Sequence, residues 1–433
     1  MSSQSPVKSL SRSPRGASPS AEAPRQVLER IPVLDVLRGF AMLGMIVAHL
    51  AYFKSTSGAI EVDPTSTFVD RTIELFFDGS FYAIFCILFG VGFAVQLARA
   101  EARGDRFAPR YLRRLLALAV FGFILDGIFR YNVLFIQAMW GLPLLFVCRW
   151  SKRRLIALLL LCAASRPLYD LGRLMIYSAR PNGIMQLAAA NQEAERAIVA
   201  MWEKVEAAEQ TGDWRTVIAA RFEFMPEYYR RSSFLPSENF TFFLLGLLAF
   251  RIGLFDRPER HRRLIASLVI AGLASWAVSL WVLPLGGPGT GQATVLDAAA
   301  TLARTNAFML VRKQWLVFAY MGAVLLLVAR YPAWLERLAP LGWAGRMALT
   351  NYVLHVVLLE ILFARHGLGL TVPASMVFAS ALLFFAGHVL VSRWWLSRYA
   401  SGPLEWLWRW FTYWQRSRFR REVPAQLPSA MSA

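Results

Sequence analysis

Asp35, Arg38 and His49 share the first apolar stretch of the chain, RIPVLDVLRGFAMLGMIVAHL (30–50). Eleven residues separate the arginine from the histidine. That is about three helical turns, so the two fall on nearly one face, roughly 16 Å apart along the axis. Ionisable side chains are costly inside a bilayer and face the bundle interior, a cavity or a substrate path. An imidazole titrates near neutral pH and can take a proton from a hydroxyl or amine, while a guanidinium suits phosphate oxygens or a developing oxyanion. Asp35, three residues before Arg38, is spaced to orient it. The spacing predicts His49 as a general base and Arg38 as an anion-binding group lining one interior vestibule. The alternative is a helix-end Asp35–Arg38 pair with His49 bonded to a neighbouring span.

A second run, GRMALTNYVLH (345–355), places Arg346 at a span edge and Thr350, Asn351, Tyr352 and His355 along the helix behind it. His355 is the second candidate for a base or an acceptor-binding group. Thr350 and Asn351 serve equally well as interhelical hydrogen bonders. Glu360 suits a proton path or a buried pairing with a cation. Asp126 and Asn132 form a third polar group; Asp126 and Arg130 also have i,i+4 helix-end spacing. His388 reads as a packed side chain, and Glu74 and Asp78 as solvated ones. His261 and His366 fall in loops and do not read as catalytic. No serine stands in a nucleophile elbow and no HExxH occurs, which removes the usual hydrolase readings.

These residues must be positioned by membrane helices. The 433 residues are 56% hydrophobic and 17% charged, against about 45–50% and 25% in soluble domains. Ten apolar stretches have the length of bilayer spans: 33–53, 77–98, 114–130, 132–149, 155–177, 236–254, 264–286, 311–330, 344–364 and 372–392. With the N-terminus in the cytoplasm, 30 Lys and Arg residues fall on the inner side and 16 on the outer, nine of these in one long loop. Charge in short loops sets orientation and charge in long loops does not. The fold class is therefore all-α, a polytopic bundle of about ten spans, N-in and C-in.

This topology accounts for the net charge of +19. No zinc-ligand spacing or RNA-binding motif accompanies the charge, so nucleic acid is not a predicted partner. Cys86, Cys148 and Cys162 lie in apolar runs without ligand spacing, and no metal site is predicted. Residues 1–29 read as a disordered cytoplasmic tail, and 30–392 as the transmembrane domain. Within it, 179–233 form an outer hydrophilic insertion that is Ala/Glu-rich and helical over 186–221. The GGPGTGQ segment (286–292) lacks the lysine and spacing of a phosphate loop. Residues 393–433, dense in aromatics and arginines as far as 421, read as an interfacial helix and tail on membrane lipid.

Three stretches, LDVLRGFAMLGMIV (34–47), GRMALTNYVLH (345–355) and GPLEWLWR (402–409), resemble the YeiB-like bacterial membrane proteins, domain-of-unknown-function family 418. A fourth, FYAIFCILFGVGF (81–93), is similar to that family's second span. The family is grouped with transmembrane acyltransferases, including those that modify bacterial glycans and the lysosomal glucosaminide acetyltransferase. Their signature of arginine, ten residues and histidine in the first span is matched by Arg38 and His49. Many YeiB-like proteins carry asparagine at the histidine position, so this chain stands nearer the acyltransferase pattern. The family's third-span region often holds a histidine and an aspartate where Asp126 and Asn132 align here, a departure from the pattern.

The resemblance implies a protein of the bacterial inner membrane that moves an acyl group, acetyl above all, from cytosolic acyl-CoA to a small-molecule or glycan acceptor. A transporter or flippase for a polar metabolite is the alternative. Against it, the two halves show no inverted repeat and no matched pair of Gly/Pro-broken helices.

Overall fold

The computed structural model describes residues 30–56, 64–77, 79–129, 132–211, 213–232, 238–282 and 315–414. The expected N-terminal tail, the glycine-rich loop at 286–292, Asp78, Arg130 and the tail from 415 onward lie outside the described residues. Among the described residues the fold is helical and holds no strand. The helices are α1 (Pro32–Thr56), α2 (Pro64–Phe76), α3 (Ser80–Ala102), α4 (Phe107–Ile128), α5 (Leu134–Gly141), α6 (Leu144–Val147) and α7 (Lys152–Ser178). They continue as α8 (Gly183–Gln210), α9 (Trp214–Ser232), α10 (Glu238–Arg251), α11 (Arg262–Val282), α12 (Leu316–Arg330) and α13 (Trp334–Arg337). The last four are α14 (Ala339–Arg346), α15 (Ala348–Phe363), α16 (Val377–Arg398) and α17 (Pro403–Tyr413).

Each of the ten apolar stretches contains a helix among the described residues. Among the described residues four helices are long and apolar enough to cross a membrane: α1, α3 with the run leading into it, α7 and α16. A fifth crossing results if α14 and α15, bent by 81° at Met347, count as one span. Several apolar stretches are realised as short helices, such as α5 and α6 around Pro143, α10 and α12.

α1 is the spine of the bundle. It packs on α14, α16, α3 and α15, and Leu37, Met42, Ile46 and Leu50 along it are completely buried. Gly39 of α1 faces the backbone of Leu341, and Gly345 of α14 faces the carbonyl of Asp35. A methyl group at either position would run into backbone, so α1 and α14 approach as closely as small residues allow. The peripheral helices behave oppositely. Leu160 and Leu161 on α7 and Leu382, Leu383 and Leu390 on α16 point outward, Leu383 with 74% of its surface exposed. Bands of exposed leucine on helices of spanning length fit lipid as the solvent.

The insertion forms a helical hairpin, α8 and α9, so the helix expected over 186–221 is broken between Gln210 and Trp214. Leu187, Val205, Ala208, Val217, Phe224 and Met225 are buried in it, yet none belongs to the continuous apolar core of the bundle. The hairpin has a core of its own.

Candidate functional site

The sharp turn at Met347 redirects the chain so that α15 runs beside α1. The first N–H groups of any helix lack intrahelical acceptors, and here Glu405 of α17 supplies one. Its Oε1 accepts from the backbone N–H of Leu349 at 2.7 Å and of Thr350 at 3.0 Å. Its Oε2 accepts from the Thr350 hydroxyl at 2.5 Å, and Thr350 Oγ1 accepts from Leu404 N at 3.1 Å. Thr350 is thereby engaged in joining two helices. Arg346 closes α14 where Gly345 meets α1.

The cap at Glu405 carries a prediction. E405A leaves two buried N–H groups without acceptors, at about 1–3 kcal/mol, whereas E405Q keeps the Oε1 acceptor and loses much less. Burial pushes the Glu405 carboxyl up, partly offset by its bonds to Thr350 and Leu349. A folded pKa above the unfolded one means the fold binds the proton more tightly. The stability contributed here is therefore greatest below the ordinary carboxylate range and falls as pH rises through the raised value. Thermal unfolding across pH should show that slope in the native protein and lose it in E405Q.

His355 lies two turns into α15 and is completely buried; His49 on α1 is only partly so. His355 Nδ1 lies 3.2 Å from the backbone carbonyl of Asn351, and His49 Nδ1 lies 2.8 Å from His355 Nε2. A carbonyl oxygen only accepts, so His355 Nδ1 carries a proton, and the neutral ring leaves Nε2 as an acceptor. His49 Nδ1 must then be the donor. By this chain of bonds the tautomers are assigned, and the lone pair of His49 falls on Nε2. No hydrogen-bond partner for that nitrogen stands among the described residues, and it is not among the buried orphan atoms. The two rings stack, with centroids 5.1 Å apart and planes 19° apart, and Phe129 packs on His49 at 4.8 Å.

Tyr352 stands edge-on to His355 at 5.4 Å and to His49 at 6.4 Å. Its hydroxyl donates to Asn132 Oδ1 at 3.3 Å. Asn132 Nδ2 donates to Asp126 Oδ1 at 2.9 Å and to the Gly122 carbonyl at 2.7 Å. Tyr229 donates to Asp126 Oδ2 at 2.7 Å. Asp126 and Asn132 thus join α4, α5, α9 and α15 and hold Tyr352 beside the imidazoles. Asn351 donates to the Ala344 carbonyl at 3.0 Å and to Ser392 Oγ at 2.9 Å. His388 is also drawn in, its ring 6.2 Å from that of His355 and nearly perpendicular.

Arg38 stands elsewhere. Its guanidinium meets Asp35 at 3.0 Å, Arg30 meets the same carboxylate at 2.6 Å, and the Arg38 side chain is 30% exposed. Arg114 lies over the Trp408 ring at 3.7 Å, with Arg38 and Arg409 in electrostatic range. This end of the bundle is a basic pole. Between it and His49, Ala41, Met42 and Met45 of α1 are all buried. The stripe between the arginine and the histidine is therefore buried rather than open to solvent as the expected continuous vestibule would be.

Beyond His49, Tyr52 donates to Glu209 Oε2 at 3.2 Å. Arg221 bonds Glu209 at 2.9 Å, Glu360 at 3.0 Å and the Ile128 carbonyl, and His366 meets Glu360 at 2.9 Å. Of the two alternatives for Glu360, the pairing with a cation is the one observed. The sequence reading missed Glu209, Arg221, Tyr229 and Glu405. Their partners lie tens to hundreds of residues away, and no local spacing signals them. Among the described residues no three His, Cys, Asp or Glu side chains converge on a metal position.

Helices long and apolar enough to cross a membrane, with polar side chains buried between them, mark a membrane protein. Residues 249–415 match the family described as "Protein of unknown function (DUF418)". Residues 30–187 match "Heparan-alpha-glucosaminide N-acetyltransferase, catalytic". Among curated proteins, the chain is 29% identical over 419 residues to the uncharacterized protein YxaH of Bacillus subtilis (strain 168), covering 92% of this chain and 98% of YxaH. It is 27% identical over 393 residues to an uncharacterized 39.9 kDa protein in the amylase 3' region of Bacillus acidopullulyticus, covering 89% and 94%. A 68-residue stretch is 38% identical to YeiB of Escherichia coli (strain K12), covering 16% and 18%. No solved structure matches. The C-terminal part of the chain thus matches the DUF418 family, and the chain as a whole is similar to YxaH and, over a short stretch, to YeiB.

Proposed function

We propose that this chain is a membrane acyltransferase that moves an acyl group, acetyl above all, from acyl-CoA to a hydroxyl or amine acceptor. The observation that carries the reading is the His49–His355–Asn351 hydrogen-bond chain, which leaves His49 Nε2 as an unprotonated base. The similarity of residues 30–187 to an acetyltransferase catalytic region supports it, since that region contains both Arg38 and His49. In this reading the bundle crosses the bacterial inner membrane about ten times, N-in and C-in, with the basic pole facing the cytosol and membrane lipid around α17.

The donor supplies an acyl carbon already activated as a thioester. As the acceptor oxygen or nitrogen bonds to that carbon, its proton passes to His49 Nε2. The carbon–sulfur bond then breaks, and the departing thiolate recovers the proton, so the imidazole ends neutral. While protonated, His49 shares its charge through Nδ1–H with His355 Nε2, a charge-assisted bond. Arg30 and Arg38 share the one carboxylate of Asp35, so the basic pole has cationic charge to offer donor phosphates. Met42 and Met45 stand between the pole and the base. Both are unbranched and able to re-pack, which the reach of the acyl arm requires.

The 81° break between α14 and α15 favours the transporter alternative, because interrupted helices with free N-termini bind anionic substrates in such proteins. Here the chain's own Glu405 already fills that N-terminus. The two readings separate in detergent, without any gradient. Acetyl-CoA at a hundred times its Kd should stabilise the protein by about 2.7 kcal/mol, and acceptor-dependent free thiol should accumulate. No stabilisation at millimolar acetyl-CoA and no thiol release would sink the acyltransferase reading.

A further inference from the structure

The joint between the α8–α9 hairpin and the bundle is crossed by a buried ion-pair network centred on Arg221. Inside the hairpin, aromatic contacts of Trp202 on Phe224 at 4.3 Å and Phe224 on Tyr228 at 5.5 Å stand beside the ion pairs Arg221–Glu209 and Lys204–Glu223. Its buried apolar residues lie outside the cluster that forms the bundle core. The joint combines aromatic contacts, Phe222 on Phe123 at 5.1 Å and Tyr229 on Phe135 at 4.8 Å, with polar pins: Arg221 to Glu360 and to the last carbonyls of α4, Glu209 to Tyr52, and Tyr229 to Asp126. Two atoms at its centre, Arg221 Nε and His366 Nδ1, are buried without hydrogen-bond partners.

Buried ion pairs contribute little net stability, because desolvation cancels much of the attraction. Units joined by an interface that is neither large nor mainly hydrophobic move relative to one another by default. The joint also sits over the reactive centre: Tyr52, pinned to Glu209, is the residue three past His49 on α1.

We propose that the α8–α9 hairpin is a hinged cap, latched by Arg221 between Glu209 and Glu360, and that its opening admits the acceptor to His49. The latch holds as one unit. Arg221 ties the hairpin to α15 and α4, Glu209 ties it to α1, and Glu360 is positioned from its other oxygen by His366, against which Trp214 packs at 4.4 Å. The access role rests on the reading of His49 as the base; the opening does not.

Nitroxide labels at A207C and L368C, both at exposed positions, report the separation of hairpin and bundle in purified full-length protein. Native protein should give one dominant distance, with an open minority of about 0.1–10%. R221Q should make a second, longer distance the majority, R221K should stay near native, and E360Q, which spares the arginine, should open like R221Q. A single native distance in both R221Q and E360Q, with native helicity retained, would overturn the cap. Opening in R221Q or E360Q that leaves the acceptor KM unchanged would overturn the access role. Failure of the His49 reading is separate, since it would appear as transfer surviving loss of the imidazole in the closed, native-latched protein.

Discussion

H49N should reduce acyl transfer by about 10²–10⁴-fold, the usual contribution of a positioned general base, while the protein still inserts, folds and binds acetyl-CoA. Asparagine is the informative replacement. Its amide can still donate a hydrogen bond to His355 Nε2, which is otherwise a fully buried acceptor left unpaired at about 1–3 kcal/mol. It provides no lone pair able to take a proton. H49A removes the base and the bond together, so it confounds chemistry with stability. The measurement is acetyl transfer to an excess of acceptor, read as thiol release, beside a melting curve with and without acetyl-CoA. The loss should fall on kcat, with donor affinity held by the basic pole at the other end of α1. Transfer in H49N at the native rate would remove His49 from the chemistry and the proposed mechanism with it.

The long apolar helices are legible in the chain because their pattern is local. α1, α3, α7 and α16 follow from hydrophobic length alone, and the helical insertion from its alanine and glutamate content. The break between α14 and α15 is not legible in the same way. It falls at Met347, within a run whose apolar pattern continues without proline, and it is stabilised by Glu405, more than fifty residues downstream. The centre of the site was visible in part for the same reason. His49 and His355 each stand out as ionisable groups in apolar helices, but their 2.8 Å bond joins positions 306 residues apart. The latch is harder still, because Arg221 and Glu209 look like ordinary charges of a soluble hairpin until the bundle presents Glu360 to them. The expected Arg38–His49 vestibule fails for an instructive reason. Helical spacing places two residues on one face, but it says nothing about whether Met42 and Met45 between them are packed over by neighbouring helices.

H355A should lower kcat by about 10–150-fold, the equivalent of losing one charge-assisted hydrogen bond of about 1.5–3 kcal/mol. Acceptor and donor KM should change little. The argument is one of position, since His355 is fully buried and reaches the reaction through His49. With its Nδ1 proton committed to the Asn351 carbonyl, His355 Nε2 obliges His49 to carry its proton on Nδ1 and to keep Nε2 free. Without that acceptor the ring can adopt either tautomer and turn away from the reactive position, and its protonated form loses the partner that shares its charge. H355Q separates this from packing. Glutamine can accept from His49 Nδ1–H with its carbonyl oxygen, so the tautomer and much of the rate should return, to within about tenfold of native. The imidazole nitrogens report the cause directly. In ¹⁵N-histidine-labelled protein, His49 should show a bare Nε2 in the native and H355Q forms and a mixture of tautomers in H355A. An unchanged His49 tautomer in H355A, together with a rate restored equally by leucine and by glutamine, would reduce His355 to a space-filling residue.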